Sequence, residues 1–490
     1  MTGTDVARDV AAAFACNVCH AAFKTRNTLF RHLRENSECA AAGGLNEVEK
    51  RRGPKEPEDA KVRACSTPQV KTRKDKPRQH KKLHIETRPD SYEEELCAKV
   101  AGMRAIFESC SGAAGLSPEV FASPPEHYRT RAEFDVWHHD DGPSYVMFNG
   151  KDRVLIEHYP MADVAISGFL MPTLLAELRK DELLRWRLFQ VHFFTTLHGD
   201  SMVSLLYHTP FDRAGRRRRE QRQREERAAE VLEEDVDEGP LTDEWEEAAV
   251  RLQAALKGAS VIGHSRGKKR VVGRDWVEER LDVAGVTAPL RYRQIEGGFS
   301  QPNASVARHM LAWARTVARD GDAEVGAVGP ARCDDLLELY CGNGNFAVGL
   351  AQCFRRVLAT ELVKGSVEAA ILNAEANGAR NVALARVSAE ELAQALSGTR
   401  AFQRLAHIDL AEYDLQTVLV DPPRAGLGSE VSSFIARFQR IVYISCNPET
   451  ARADMEVLGE THEIHRLAAF DQFPYTDHLE MGMLLVRREG

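Results

Sequence analysis

The chain has 490 residues, of which 43% are hydrophobic and 28% are charged, and its formal net charge is −8. This length is too great for one hydrophobic core and the composition is that of an ordinary globular protein, so we expect two or three domains. No run approaches the roughly 18 to 20 apolar residues that cross a bilayer, which argues against a membrane protein. The ten cysteines do not form a disulfide framework and favour a reducing compartment.

Residues 1–10 lack the basic start and apolar stretch of a secretory signal, and Asp5 and Asp9 argue against a mitochondrial presequence. We therefore expect an intracellular protein, cytoplasmic or nuclear, without excluding an organelle. We infer no membrane contact and no obligate protein partner.

Residues 1–45 carry the spacing of a small zinc-binding module. Cys16 and Cys19 are separated by two residues, and apolar residues, His32 and Cys39 follow as in a ββα zinc finger. The gap between His32 and Cys39 is longer than the usual three to five residues. An alanine-rich helical tail with incidental cysteines is the alternative, and an iron–sulfur cluster is less favoured because a fourth spaced cysteine is missing. The spacing predicts a structural zinc ion held by Cys16, Cys19, His32 and Cys39.

Residues 46–88 are rich in charged residues, proline and glycine, without apolar periodicity, and they predict a disordered linker. Between Lys61 and Lys82 there are nine Lys or Arg and a single acid, Asp75. Such a basic arm can bind phosphates whatever the net charge of the whole chain. From charge alone, a solvated linker is the simpler interpretation.

Residues 89–290 predict a helix followed by a sheet-containing α+β domain. Apolar residues recur at spacings of three or four from Tyr92 to Phe107, which indicates a helix. Strand-like alternation follows, and we expect strands at 132–137, 144–148 and 202–207. Residues 213–239 contain eight Arg and nine Asp or Glu. They predict a charged surface insertion, to which we assign no chemistry.

Residues 291–490 predict a doubly wound α/β domain, because apolar strands alternate with helices after Asp334. Each strand ends in a polar group, at the edge where open parallel sheets bind ligands. The predicted strands cover 335–339, 356–359, 417–420 and 441–444.

All four of these strand ends carry candidate functional groups. The first runs into a turn with Gly342 and Gly344, which suits close approach of a nucleotide-like ligand, although without the full dinucleotide-binding spacing. Glu361 ends the next strand, where a carboxylate would meet ribose hydroxyls. Asp421 and Cys446 end the last two. Asp421 could merely cap a rigid turn, and Cys446 could be a small buried apolar residue, but its position at the ligand edge favours a nucleophile.

At these motifs the sequence from about residue 89 to 488 resembles the bacterial-type tRNA (uracil-5-)-methyltransferase family. The resemblance rests on six segments in order: 123–134 (SPPEHYRTRAEF), 300–303 (SQPN), 336–346 (LLELYCGNGNF), 421–427 (DPPRAGL), 443–450 (YISCNPET) and 470–480 (FDQFPYTDHLE). Residues 1–88 are not covered by it.

The resemblance implies a Rossmann-like S-adenosylmethionine-dependent methyltransferase domain, an α+β RNA-binding domain and tRNA as the partner. It implies methylation of C5 of the T-loop uridine, position 54, giving ribothymidine. It further implies that Cys446 is the nucleophile and Glu480 the proton acceptor. The residues that it implies for binding S-adenosylmethionine are Gln301, Tyr340, Asn345, Glu361 and Asp421.

The chemistry accounts for these residue types. Uracil C5 is too weak a nucleophile to attack a sulfonium methyl group, but addition of a thiolate to C6 places electron density on C5. A carboxylate must then remove the C5 proton. Two alternatives stay open: the same chemistry on rRNA or another RNA, and a non-catalytic tRNA chaperone that retains the fold. The presence of Cys446, Glu480 and Asp421 argues against the second.

Overall fold

The computed structural model describes residues 85–208 and 239–489, together with two short strands nearer the N-terminus. The chain divides into two compact units, Met1–Arg78 and Gln79–Gly490. In the first unit, β1 (Phe14–Ala15) and β2 (Ala22–Phe23) pair antiparallel, with Phe14 opposite Phe23. The predicted zinc ligands Cys16, Cys19, His32 and Cys39 lie outside the described residues. So do most of the predicted linker 46–88 and of the charged insertion 213–239, and these predictions stay open.

The second unit begins with a helix that packs on its larger sheet and a strand that belongs to that sheet. The helix α1 spans Tyr92–Phe107, matching the predicted periodicity, and three acidic residues in its first turn suit the positive end of the helix dipole. Its apolar face contributes Met103 and Phe107 to a core that also contains strand residues of the larger sheet. The strand β3 (Glu119–Phe121) pairs in parallel with a strand some 350 residues later.

A seven-stranded sheet follows, and it includes the strands predicted in the α+β segment. Its strands are β4 (Arg131–His139), β5 (Gly142–Asn149), β6 (Asp152–Leu155), β7 (Leu188–Thr195), β8 (Ser201–Tyr207), β9 (Ser260–Ser265) and β10 (Lys268–Val272). Their order is β10-β9-β8-β7-β4-β5-β6. Helices α2 (Met171–Lys180), α3 (Glu182–Arg185) and α4 (Asp243–Ala255) cover one face and share its hydrophobic core, and a π-helical turn, Ile166–Leu170, leads into α2.

The antiparallel hairpin β11 (Trp276–Leu281) and β12 (Leu290–Ile295) leads from this sheet to the next. The hairpin spans residue 290, where the sequence placed the domain boundary. The strand β3 precedes that boundary but lies in the larger sheet, so the chain crosses between the two sheets twice. The division at residue 290 stays a prediction.

The larger sheet has eight strands in the order β15-β14-β13-β16-β17-β19-β18-β3. Its remaining strands are β13 (Asp335–Leu339), β14 (Val357–Thr360), β15 (Val382–Ala385), β16 (Leu415–Val420), β17 (Arg440–Ser445), β18 (His462–Phe470) and β19 (Glu480–Arg487). Four predicted strands are confirmed here, with ends within two residues of the predicted ones. The strands β15, β14, β13, β16 and β17 are parallel, whereas β19 runs antiparallel between β17 and β18.

Helices cover both faces of this sheet, which confirms the doubly wound, Rossmann-like fold. They are α5 (Ala304–Arg319), α6 (Asn345–Leu350), α7 (Lys364–Ala376), α8 (Ala389–Leu396), α9 (Gly428–Ile435) and α10 (Pro448–Leu458). Side chains alternate between the two layers, because successive residues of a strand point to opposite faces. Leu336 packs in the layer that contains Trp313 of α5, and Leu337 packs in the layer that contains Met455 of α10. Among the described residues, no helix is both long and apolar enough to span a membrane.

Candidate active site

Three predicted ligand-binding residues follow three neighbouring parallel strands at one edge of the larger sheet. Leu339 at the end of β13 is in register with Thr360 of β14 and with Val420 of β16. The residues that come next, Tyr340, Glu361 and Asp421, therefore leave the sheet side by side. This is the carboxyl edge, where open α/β sheets bind their ligands.

The turn after β13 has the backbone that a close ligand approach requires. Tyr340, Gly342 and Gly344 have positive φ angles of 62°, 55° and 80°. A Cβ at Gly342 would meet no atom within 4 Å, so the turn opens onto free space. Its backbone is tied to the next strand, because the N–H of Gly342 donates to Oε2 of Glu361 at 3.1 Å. Glu361 also accepts, through Oε1, from the N–H groups of the two residues that follow it.

Asn345 lies at the start of a helix, and Gln301 lies just before one. Asn345 is the first residue of α6, and its carbonyl accepts from the Tyr292 hydroxyl at 2.8 Å. Gln301 lies just before α5, whose N-cap is Asn303. Oε1 of Gln301 is buried and makes no hydrogen bond. A buried acceptor without a partner costs free energy in the isolated protein, which points to a ligand that supplies the donor.

Cys446 and Glu480 meet at the ends of adjacent strands. Ser445 of β17 is in register with Met481 of the antiparallel β19. One residue further along, Cys446 therefore lies opposite Glu480, the first residue of β19. Glu480 is only 5% exposed and Cys446 is partly buried. The two residues come together although the chain separates them by more than thirty positions.

The ionisable groups at this edge hold their protons more tightly than usual. Burial raises the pKa of Glu480 to about 8, with a further rise from Asp421 and an opposing effect of Arg424. Burial also raises the pKa of Asp421 to about 7. The pKa of Cys446 is raised by burial and by the charges of Glu480 and Asp421, while Arg424 lowers it. Like charges in a dry site cannot all ionise at once, so the two carboxyl groups titrate as a pair.

A cavity of about 840 Å³ opens onto the Cys446 thiol. It is lined by residues from four parts of the chain, among them Lys99 of α1, Arg424 after β16, Cys446 after β17 and Tyr475 before β19. Arg424 is the only cation among the groups that act on both Cys446 and Glu480. The sequence assigned Arg424 no role, although it belongs to the same short motif as Asp421. Its proximity to both groups qualifies it as a functional residue.

Glu338 is a second residue that sequence reasoning passed over. It lies on β13, two residues before the turn, and is completely buried. Neither of its oxygens makes a well-formed hydrogen bond. Burial raises its pKa well above the usual range, Asp421 adds to the rise, and the backbone N–H of Ala347 opposes it. A carboxyl group inside an otherwise apolar strand was the available signal, because a charge is rarely buried without a partner.

These residues fit a cationic ligand that carries a ribose. The carboxyl groups of Glu338 and Asp421 would face a positive charge, and Glu361 would accept hydrogen bonds from hydroxyl groups. Oε1 of Gln301 would receive another donor. S-adenosylmethionine, with its sulfonium, ammonium and ribose groups, has this chemistry. No group of three or more potential metal ligands occurs in 85–208 or 239–489, and the predicted zinc ligands lie outside those ranges.

Comparisons with known proteins identify chains that are similar to this one. The sequence model of the family described as "tRNA (Uracil-5-)-methyltransferase" matches residues 91–236 and 228–488. A tRNA/tmRNA (uracil-C(5))-methyltransferase of Ectopseudomonas mendocina is 45% identical over 403 residues, which cover 82% of this chain and 98% of the relative. The enzyme of the same name from Pseudomonas putida (strain GB-1) is 47% identical over 403 residues, with the same coverage.

One solved structure covers most of the chain. The tRNA (uracil-54, C5)-methyltransferase of Pyrococcus abyssi, in complex with S-adenosyl-L-homocysteine, aligns with a TM-score of 0.55 at 20% sequence identity. The alignment covers 81% of this chain and 83% of that protein. At this identity the likeness shows a shared fold.

Proposed function

The chain belongs to the tRNA (uracil-5-)-methyltransferase family, and from this membership we propose that it transfers a methyl group from S-adenosylmethionine to C5 of the T-loop uridine of tRNA. The observation that carries the proposal is that Cys446 and Glu480 lie opposite each other at the ends of β17 and β19, that the charge of Asp421 acts on both, and that Cys446 lines a cavity. A thiol and a carboxyl group side by side are the two groups that C5 methylation needs.

Cys446 begins the reaction as nucleophile. Its thiol gives its proton to the solvent in the cavity, and Sγ forms a bond to C6 of the uracil while the electron pair of the C5–C6 double bond moves toward C5 and O4. Arg424 favours the thiolate, because it lowers the pKa that burial and the two carboxyl groups raise. A thiol with a raised pKa stays protonated until the base arrives, which protects it from other electrophiles.

S-adenosylmethionine supplies an electrophilic methyl group when it is bound. C5 takes that methyl group with the electron pair made available by the addition of Cys446, and the electron pair of the broken S–CH3 bond would stay on the donor sulfur. Glu480 in its ionised form then accepts the C5 proton, the C5–C6 double bond forms again, and the C6–S bond breaks to release the thiolate. A carboxylate with a raised pKa is a stronger base than an exposed one, so burial prepares Glu480 for this step.

The remaining residues of the edge would hold S-adenosylmethionine. Glu361 would bind the ribose hydroxyls, and Gln301, Tyr340, Asn345 and Asp421 would contact the rest of the ligand. The unpaired Oε1 of Gln301 and the open turn at Gly342 support this placement. The target base must leave its loop to reach Cys446.

The described surface offers cations and aromatic rings for RNA. Arg274 and Arg293 both lie over the Trp276 ring, at 4.3 and 4.6 Å from its centroid. Phe299, just before Gln301, is 72% exposed. Exposed rings and guanidinium groups bind bases and phosphates.

All six cysteines in the described ranges are free thiols, which supports a reducing, intracellular location.

For the N-terminal extension we propose a zinc ion held by Cys16, Cys19, His32 and Cys39, with the basic stretch 61–82 as an additional grip on RNA phosphates. The antiparallel strands β1 and β2 flank Cys16 and Cys19 in sequence, as in a ββα finger. The full-length protein should contain one equivalent of zinc by mass spectrometry, and a Cys16→Ser/Cys19→Ser variant should contain none.

Deleting residues 1–85 should raise the KM for tRNA and flatten its salt dependence, because fewer phosphates are neutralised. The methylated position should not change, because base contacts lie in the catalytic region. A different methylated uridine would show instead that the extension sets specificity.

The catalytic proposal is tested with tRNA that contains 5-fluorouridine, which has no C5 proton for Glu480 to remove. Wild-type protein and S-adenosylmethionine should form a covalent complex that survives a denaturing gel. Cys446→Ala should form none and should lose activity by at least roughly 10³-fold. Cys333→Ala, which changes an exposed cysteine elsewhere, is the matched control. A complex that persists in Cys446→Ala would remove Cys446 from the mechanism.

A further inference from the structure

A buried lysine of α1 joins the helix to the segment that leads into the catalytic base. Nζ of Lys99 donates to Oδ1 of Asp471 at 2.6 Å and to the carbonyls of Phe473 and His478 at 2.9 and 3.2 Å. The side chains of Lys99 and Asp471 are 10% and 1% exposed. An ammonium group has three N–H bonds, and all three are used here.

The three acceptors lie at the two ends of one segment, residues 471–479, which connects β18 to β19 and which we call the base loop. Asp471 and Phe473 are at its start, and His478 lies two residues before Glu480. Lys99 therefore holds the beginning and the end of the base loop at one point. Residues 475–479 and Lys99 line the same cavity as Cys446.

Other contacts also hold the base loop and the residues at its ends. The N–H of Asp471 donates to the carbonyl of Phe121 at 3.0 Å. Oε1 of Gln472 accepts from the N–H of Asn303 at 3.1 Å, and the hydroxyl of Tyr475 donates to the carbonyl of Pro125 at 2.8 Å. At the far end Glu480 pairs with Phe470 of β18, and the contact between Lys99 and the carbonyl of His478 adds a polar tie two residues before Glu480.

The effect of Lys99 on Glu480 is positional. The charges that act on the Glu480 carboxyl group are those of Asp421 and Arg424. The charge of Lys99 is compensated by Asp471, with which it pairs at 2.6 Å. A change at Lys99 should therefore displace the Glu480 carboxyl group without directly changing the charges around it.

We propose that Lys99 is a positioning residue for the proton-removal step: through Asp471, Phe473 and His478 it clamps the base loop so that Glu480 faces C5 of the methylated base. This inference rests on the proposed function, since it assigns a step of that reaction. Loss of the clamp should slow removal of the C5 proton more than the addition of Cys446 or the transfer of the methyl group. The methylated RNA would then stay linked to Cys446.

The test compares Lys99→Met with wild type on ordinary tRNA and on tRNA that contains 5-fluorouridine. With ordinary tRNA, we expect kcat to fall by about 10- to 100-fold, since small misplacements of a catalytic group have effects of this size, and KM for tRNA to change little. Denaturing gels should show methylated tRNA accumulating on the variant. The 5-fluorouridine complex, which forms without proton removal, should form at the wild-type rate. Its yield also counts the folded active sites, so partial unfolding of the variant is corrected for.

Two further variants sharpen the test. Lys99→Arg keeps a cation with several donors and should recover part of kcat, whereas Asp471→Asn keeps the shape but removes the charge pair and should fall between wild type and Lys99→Met. Lys180→Met is the matched control, because Lys180 pairs with Glu177 in an exposed salt bridge far from the base loop.

The inference is overturned if Lys99→Met keeps the wild-type kcat, or if kcat and formation of the 5-fluorouridine complex fall together without accumulation of methylated adduct. Failure of the proposed function looks different. Wild-type protein would then form no 5-fluorouridine complex at all, whatever stands at position 99.

Discussion

Carboxyl groups on the two sheets of the second unit have opposite surroundings. On the eight-stranded sheet, burial and a neighbouring acid raise the pKa of Glu480 to about 8. Beside the seven-stranded sheet, the pKa of Glu296 is lowered to about 2, first by its hydrogen bond with His264. The same residue type is thus kept protonated in one region and ionised in the other.

The pKa values of Glu296 and Glu480 differ because the two carboxyl groups have different neighbours. Glu296 contacts His264 at 3.0 Å, Lys269 at 3.4 Å and the Ser204 hydroxyl at 3.1 Å, so its charge is well compensated. Glu480 has one cation nearby, Arg424, and a second carboxyl group, Asp421. Paired carboxylates stabilise a structure, whereas a carboxyl group that lacks sufficient partners has a raised pKa, and its ionised form is the stronger base in a reaction. The contrast locates the chemistry at the edge of the eight-stranded sheet.

The largest expected effect concerns Glu480 itself. Glu480→Gln should lower turnover by about 10² to 10⁴-fold, because an amide cannot accept the C5 proton. Addition of Cys446 and methyl transfer should continue, so methylated tRNA should remain linked to the protein on denaturing gels.

Glu279→Gln is the matched control for that variant. Glu279 is also buried, and burial raises its pKa to about 7, but it lies on β11 and accepts from the N–H of Leu197. The Glu279→Gln variant should methylate tRNA at the wild-type turnover rate. If both variants lose activity equally, a raised pKa alone does not distinguish the catalytic carboxyl group from a structural one.

A smaller effect is expected at Glu361, a carboxylate of the same edge. Glu361→Ala should weaken binding of S-adenosylmethionine by about 1.5 to 3 kcal/mol, since charge-assisted hydrogen bonds to ribose are lost. Isothermal titration calorimetry measures this directly. Glu368→Ala, which removes an exposed carboxylate paired with Lys364 on α7, should leave the affinity unchanged. Equal affinities in wild type and Glu361→Ala would mean that the ribose lies elsewhere.

The smallest effects are on stability, and the two carboxyl groups should give opposite dependences on pH. The folded state lowers the pKa of Glu296 from 4.5 to about 2. Its contribution to the free energy of unfolding is therefore present above pH 4.5 and is lost as the pH falls toward 2. Glu296→Gln should destabilise the protein by about 1 kcal/mol at neutral pH and by less in acid.

For Glu480 the sign is reversed. The folded state raises its pKa from 4.5 to about 8, so the folded protein binds a proton that the unfolded chain has released. The free energy of unfolding of the wild type should therefore decrease as the pH rises from 4.5 to 8. Glu480→Gln stays neutral, so it should become more stable than wild type toward pH 8. Urea unfolding of both variants at several pH values measures these slopes, and parallel curves would contradict the opposed environments.

Local sequence pattern was enough to predict the parallel strands and their polar ends. Apolar runs of four to six residues, each followed by a polar group, gave β13, β14, β16 and β17 with ends within two residues. The positions of Glu361, Asp421 and Cys446 follow, because parallel strands place their carboxyl ends at one edge. Glu480 and Gln301 were assigned from the family resemblance, and their meeting with the other residues was not visible in the pattern.

Contacts between distant parts of the chain could not be predicted. Lys99 and Asp471 are 372 residues apart. The apolar periodicity of α1 does not indicate whether the Lys99 ammonium group is buried or exposed. The short strand β3 belongs to a sheet whose other strands begin more than 200 residues later. Such pairings depend on the closure of long loops and on packing that only the complete fold provides. The same holds for Glu338, whose lack of partners appears only when both neighbouring strands are in place.

The pairing of β3 with β18 also determines how the seven-stranded sheet is attached. The chain leaves the larger sheet after Phe121, builds the smaller one from Arg131 to Val272, and returns through the hairpin β11–β12. The smaller sheet is therefore joined to the larger one by two covalent connections, unlike a domain on a single tether. Hydrogen bonds reinforce the first connection: just before β4, the N–H of Thr130 donates to the carbonyl of Pro302 at 2.9 Å and the hydroxyl of Tyr128 donates to the carbonyl of Pro474 at 3.3 Å. A single cut in either connection would leave the smaller sheet covalently attached through the other.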